Sequence, residues 1–325
     1  MTQELSPAER YKLAKKKAST PEFNKFAKII EFPLDPFQEK ACIALESGKG
    51  VLVAAPTGAG KTIVGEFAIH LAIASDSKVF YTTPIKALSN QKYLELVARY
   101  GEERVGLLTG DTNINSDADI MVMTTEVLRN MLYANSSTLL NLGAVVMDEV
   151  HYLADKFRGA VWEEVLIHLM ESVQVISLSA TVSNAEEFGE WLGEVRGQTD
   201  VIVSEVRPIP LYQHVLIGNR LIDLFSEPGR VNPEILGLER QALKRVRTPR
   251  HRRDRFSNEE DRLSRDEVID KLQRENLLPA ITFIFSRMGC DAAVKQCLAA
   301  GIKLTNTEER AEILKTAERY TANLA

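Results

Sequence analysis

Val51-Leu52-Val53-Ala54-Ala55-Pro56-Thr57-Gly58-Ala59-Gly60-Lys61-Thr62 is an apolar run that breaks into a glycine-containing loop and ends on Lys-Thr. The residues that follow, Ile63 to Ile69, have the pattern of a helix. A strand, a glycine loop and a helix in that order make a cradle for a triphosphate. Gly58 and Gly60 let the backbone turn its N–H groups inward, and the new helix adds the positive end of its dipole. In that cradle Thr57, Gly58, Ala59 and Gly60 surround the phosphates of ATP. Lys61 reaches the β- and γ-phosphates, and Thr62 places its hydroxyl on Mg²⁺. The usual spacing is GxxxxGK[ST], and Ala55 stands where the first glycine is expected.

A second stretch answers the first. Leu142-Gly143-Ala144-Val145-Val146-Met147 is almost continuously apolar and runs into Asp148-Glu149-Val150-His151. Such a run suits a strand buried on both faces of a parallel sheet. Its carboxylates then emerge at the C-terminal end, where open α/β sheets bind ligands. Asp148 would hold Mg²⁺ through water, and Glu149 would orient and deprotonate the water that attacks the γ-phosphate. His151 beside them either senses the γ-phosphate or is structural. Upstream, Gln38 heads the helical pattern Glu39 to Leu45; its amide either meets the edge of an adenine or lies idle at the surface.

Composition narrows the class. The chain has 325 residues, 45% of them hydrophobic, and a net charge of −5. Two domains of ordinary size fit that length. The charge excludes a protein that is basic as a whole, so any surface for a polyanion is local. The three cysteines, Cys42, Cys290 and Cys297, form no CxxC or Cys/His cluster, which argues for reduced thiols in a cytoplasmic protein. No apolar run approaches a membrane span, and the charged N-terminus lacks the apolar core of a secretory signal.

Further segments extend the pattern in order. Lys78 to Thr82 reads as a strand followed by Thr83-Pro84-Ile85-Lys86-Ala87-Leu88-Ser89-Asn90-Gln91-Lys92-Tyr93. Val105 to Leu108 ends in Thr109-Gly110-Asp111, and Ile120 to Met123 ends in Thr124-Thr125-Glu126. Val173 to Leu178 delivers Ser179-Ala180-Thr181. Together with the glycine loop and Asp148-Glu149-Val150-His151, this series resembles the motifs of superfamily 2 helicases. Within that superfamily it is similar to the superkiller-like DExH-box RNA helicases, including their actinobacterial type. The resemblance covers residues 30 to 215 and, weakly, 280 to 325.

The resemblance implies an ATP-dependent helicase using ATP and Mg²⁺, with single-stranded or partly duplex nucleic acid as partner. RNA is favoured and DNA is the alternative within the superfamily. It implies that Thr83, Pro84, Lys86, Gly110, Asp111, Thr124, Thr125 and Glu126 line the nucleic-acid track. Hydroxyls, backbone N–H groups and one lysine hold a phosphodiester chain without reading its bases; the same Thr and Asp also suit helix caps. It implies that Ser179 and Thr181 couple the nucleotide site to strand separation, with hydroxyls able to bond Glu149 or His151.

The expected fold class is α/β: a RecA-like doubly wound parallel sheet, with the beginning of a second RecA-like domain. We expect a loosely attached leader over residues 1–28, broken at Ser19-Thr20-Pro21, and a first RecA-like domain over 29–205. A linker and a charged, flexible insertion follow over 206–270. Within it, residues 240–255 carry eight Lys or Arg against one acid, which adds salt-sensitive affinity for nucleic acid. Pro279 to Arg287 reads as a buried strand and Met288 to Leu298 as its helix, the start of a second RecA-like domain over 271–325 that stops short. The chain on this reading is the N-terminal piece of a longer helicase.

Overall fold

The computed structural model describes residues 20–156, 158–180, 185–227, 229–247 and 263–321. The chain divides into two compact units, meeting at Pro210 and Leu211 in the sequence.

The first unit is built on β1 (Gly50–Ala54), β2 (Lys78–Thr83), β3 (Val105–Leu108), β4 (Asn113–Ile114), β5 (Ile120–Thr124), β6 (Leu142–Met147), β7 (Gln174–Ser179) and β8 (Thr199–Val203). They form one sheet in the order β4-β3-β5-β2-β6-β7-β1-β8. Every pairing is parallel except that of β3 with the two-residue β4. Strands joined in parallel need crossovers, and these are helices on both faces.

The alternation of each strand divides its side chains between two cores. Val51, Val53, Val79, Tyr81, Ala144 and Val146 face one side. There they meet α1 (Pro21–Ile29), α2 (Pro36–Glu46), α3 (Thr62–Ala74) and α4 (Lys86–Tyr100) through residues such as Phe26, Leu45, Phe67 and Leu96. Leu52, Phe80, Val145 and Met147 face the other side. Their partners come from α5 (Thr125–Tyr133), α6 (Gly159–His168) and α7 (Ala185–Arg196), including Leu128, Trp162 and Leu192. This is the RecA-like doubly wound sheet expected from the sequence.

The second unit begins with a hairpin of β9 (His214–Ile217) and β10 (Arg220–Asp223), then a smaller one of β11 (Phe225–Glu227) and β12 (Arg230–Val231). Four helices follow among the described residues, α8 (Pro233–Arg247), α9 (Arg265–Arg274), α10 (Arg287–Ala299) and α11 (Thr307–Thr321). Ser264 caps α9 by a reciprocal capping box with Glu267.

Three local expectations need correction. Thr20-Pro21 does not break the chain away from the domain: Pro21 opens α1, whose Phe26 is buried against Phe67 with ring centroids 5.1 Å apart. Proline at the first helical position forfeits no hydrogen bond, so the same residue that stops a helix can start one. The insertion is not a flexible loop throughout, since α8 lies within it and α9 begins in it. Pro279 to Ser286 pairs with no strand among the described residues, and Ile281, Phe283 and Phe285 are exposed rather than buried. A strand exists only through a neighbour's ladder, and apolar content alone does not supply one. Leader residues 1–19, Thr181, Asn184 and residues 248–255 of the basic stretch lie outside the described residues, as do the side chains of 241–247.

Candidate ATP site and nucleic-acid face

Strand order decides which loops become neighbours. β6, β7 and β1 are adjacent, so the C-terminal ends that carry Asp148-Glu149, Ser179 and the glycine loop converge. β3, β5 and β2 are adjacent on the other half of the sheet, and their ends carry Gly110-Asp111, Thr124-Thr125-Glu126 and Thr83-Pro84-Ile85-Lys86. The second set lies in the sequence between the glycine loop and Asp148-Glu149, and the strand order sorts the two sets into two sites at the C-terminal ends of the strands.

At the first site Gly58 and Gly60 adopt φ of +84° and +79°, a conformation open to glycine at little cost. A side chain at Gly60 would also place its Cβ 2.6 Å from Gln38 Nε2. Gln38 is buried, and its amide serves the loop directly: Nε2 donates to the Gly60 carbonyl at 2.9 Å, while Oε1 accepts from the Asp35 N–H at 2.8 Å. The sequence suggested an adenine contact or an idle surface residue; the structure adds that Gln38 joins the start of α2 to the glycine loop. Lys61 donates to the carbonyls of Ala55 at 2.7 Å and Pro56 at 3.1 Å. Its half-buried ammonium is held below the usual lysine range by desolvation, with Glu149 and Asp148 pulling the other way. Thr62 begins α3, at the positive end of that helix.

The carboxylates differ in surroundings. Asp148 accepts from the Tyr81 hydroxyl at 2.9 Å and from the Glu149 N–H at 2.9 Å. Glu149 has a left-handed φ of +55°, which costs a non-glycine residue about 1 kcal/mol or more. Among the described residues its buried Oε2 has no hydrogen-bond partner; it lies 3.3 Å from His151 Nδ1 without the alignment of a bond, and that nitrogen is likewise unpartnered among them. Burial, and then the charge of Asp148, push the Glu149 carboxyl above the ordinary glutamate range, against His151 and Lys61. Ser179 Oγ is also buried and has no partner among the described residues, so it does not bond Glu149 or His151 as expected from the sequence.

At the second site the residues separate into two layers. Thr83 and Thr125 are buried: the Thr83 hydroxyl shares a 2.7 Å hydrogen bond with Ser89, and Thr125 donates to the Thr83 carbonyl at 3.4 Å. This corrects the expectation that their hydroxyls line a track; they brace the loop from below. Pro84 is buried as well, with its carbonyl accepting from Arg158 Nη1 at 3.1 Å. Lys86, Gly110 and Asp111 are exposed, and Thr124 and Glu126 are half-buried. Lys86 Nζ lies 2.5 Å from Asp111 Oδ2, tying the loops after β2 and β3 across the end of β5. The Lys86 hydrogen bond, followed by one from Thr109, holds the Asp111 carboxyl below its usual range.

Sequence reasoning missed Tyr81, Ser89, Arg158 and the left-handed Glu149. Only Tyr81 left a signal, because a tyrosine inside a fully buried strand must find a partner for its hydroxyl.

Residues 35–188 match the model for the DEAD/DEAH box helicase family. Over 318 residues the chain is 56% identical to the probable helicase HelY of Mycobacterium leprae, covering 94% of this chain and 35% of that protein. It is 42% identical to the DExH-box ATP-dependent RNA helicase DExH15 of Arabidopsis thaliana, over 82% of this chain and 26% of the relative. Superkiller complex protein 2 of Mus musculus is 38% identical over 90% of this chain and 24% of its own length. Residues 35–188 thus form a helicase domain of the DEAD/DEAH box family, in a chain homologous to the superkiller-type DExH helicases. The chain spans about a third of the length of the HelY relative.

Proposed function

We propose that this chain carries the ATP-binding half of a helicase that couples ATP hydrolysis to movement along nucleic acid and strand separation. The observation that carries the proposal is the sorting of loops by strand order. One half of the sheet edge gathers Lys61, Thr62, Asp148, Glu149 and Ser179, and the other gathers Lys86, Gly110, Asp111, Thr124 and Glu126.

A magnesium-bound triphosphate fits the first half. Glycine-loop N–H groups receive the phosphates, and Lys61 exchanges its two carbonyl partners for phosphate oxygens. Thr62 and Asp148 hold the ion, which when bound with the nucleotide neutralises charge developing on the phosphates. Among the described residues no three His, Cys, Asp or Glu side chains gather into a metal cage. That donor set suits magnesium, which takes one or two protein oxygens and fills its remaining positions with phosphate and water. Glu149 accepts the proton of the attacking water while the bond from the γ-phosphorus to its bridging oxygen breaks. The lone Oε2 is suited to that task. Gln38 reads the adenine edge from its place against the loop. Ser179, with Thr181, links the nucleotide site to strand separation.

The second half holds a single strand by its backbone, through Lys86 and the loop ends after β3 and β5. The DExH15 relative is named an RNA helicase, which favours RNA; DNA is the alternative. No described helix is long and apolar enough to cross a membrane, and the described cysteines are free thiols, in keeping with a cytoplasmic setting.

The deciding experiment is steady-state ATP hydrolysis with and without single-stranded RNA and DNA at fixed salt, by this chain and by a longer form that includes a complete second domain. Strong stimulation of the longer form supports a helicase motor, and the better strand names the substrate. ATP binding with no response to either strand overturns the motor and leaves a nucleotide-controlled switch.

A further inference from the structure

We infer that Tyr81 is the positioning residue for Asp148, setting the orientation in which that carboxylate meets the magnesium of the bound nucleotide; this rests on the function proposed above. An aspartate can turn about its terminal torsion, and a broad, roughly two-fold well does little to stop it. Two hydrogen bonds on different oxygens do stop it. The Glu149 N–H takes Oδ1 at 2.9 Å, and the Tyr81 hydroxyl takes Oδ2 at 2.9 Å. Each oxygen keeps a second lone pair, so the carboxylate is fixed without being used up.

The tyrosine is itself held from three sides. It is fully buried in the middle of β2, between β5 and β6. Lys92 Nζ lies 5.5 Å from its ring centroid. On α3, one turn after the glycine loop, Gly65 leaves the space the ring occupies: a Cβ there would come within 3.1 Å of Tyr81 Cε2. The helix that starts at the phosphate cradle is therefore shaped to seat the ring that aims the carboxylate. Tyr81 is also two residues upstream of Thr83, where β2 passes into the loop of Lys86. One strand thus supports both halves of the site.

Groups that orient a metal-holding side chain without touching the metal are worth about 10- to 100-fold in metal affinity. The experiment measures binding of Mn²⁺ by electron paramagnetic resonance, and of a fluorescent non-hydrolysable ATP analogue with and without the metal, in this chain and its Tyr81→Phe variant. The expected result is a Mn²⁺ half-saturation raised about 10-fold in Tyr81→Phe, with unchanged analogue binding in chelator. Gly65→Ala, which keeps the hydroxyl but crowds the ring, should shift Mn²⁺ binding in the same direction by a smaller factor. Equal Mn²⁺ half-saturation in the parent and Tyr81→Phe overturns the positioning role and leaves the ATP site standing. If binding in chelator weakens as much as binding with metal, Tyr81 is a packing residue only, which also overturns the inference. If the parent itself binds no metal-dependent analogue, the ATP site and the inference fall together.

Discussion

Glu149 concentrates the costs of the site in one residue: a left-handed backbone, a buried oxygen without a partner among the described residues, and a carboxyl pushed above its normal range. Folding favours the protonated form, so between about 4.5, the ordinary value, and its raised value the folded state binds more protons than the unfolded chain. Above the raised value the charged carboxylate opposes folding; below about 4.5 both states are protonated and the penalty is gone. In the nucleotide-free chain, Glu149→Gln should therefore raise the melting temperature at neutral pH. That gain should fade as the pH is lowered through the raised value. The same variant, in a form with both domains, should bind ATP normally and lose about 10²- to 10⁴-fold in hydrolysis. A parental hydrolysis rate in purified Glu149→Gln would remove it as the general base. Lys61→Ala tests the opposite pole: removing a donor aimed at developing charge should cost about 10²- to 10³-fold in turnover and, unlike Glu149→Gln, weaken nucleotide binding in a fluorescence titration.

At the scale of elements, α1 shows where local patterns mislead. Its Phe26 packs edge-on to Phe67, the N–H groups of Glu22 and Phe23 donate to the Glu46 carboxylate at 2.8 and 2.9 Å, and Glu22 meets His70 at 3.1 Å. Phe26→Ala should cost about 3–5 kcal/mol of stability in urea unfolding of this chain; a change under about 1 kcal/mol would return α1 to the status of a leader. Strands β1, β2, β5, β6 and β7 were legible because each is an apolar run ending in a polar loop, a pattern set within a few residues. The fate of Pro279 to Ser286 was not, because strand formation depends on a neighbour no local pattern reports. Tyr81 and Asp148, 67 residues apart, escaped for the same reason: adjacency of β2 and β6 is a property of the sheet. Thr83 and Thr125 were misassigned because a hydroxyl at a strand end looks the same in sequence whether it turns outward or inward.

For the whole molecule the governing quantity is charge. With a net charge of −5, the chain's overall field repels a polyanion, so any affinity for a single strand must come from short-range contacts at the sheet edge or from a local basic segment. The two sources differ in salt dependence. Each phosphate neutralised on a single strand contributes about −0.7 to the slope of log K against log[salt], whereas N–H and hydroxyl contacts release no counterions. Among the proposed track residues Lys86 is the cation, and to bind a strand it must first exchange Asp111 for phosphate. Single-strand binding by this chain, followed by fluorescence anisotropy with a non-hydrolysable ATP analogue across a salt series, should therefore give a shallow slope of about −0.7, and Lys86→Ala should bring it close to zero. A slope of about −4 or steeper that survives Lys86→Ala but collapses when the arginines of 250–255 are replaced would move the electrostatic contact away from the sheet edge. The helicase domain would then grip its strand by shape and hydrogen bonds, with the basic segment supplying the charge.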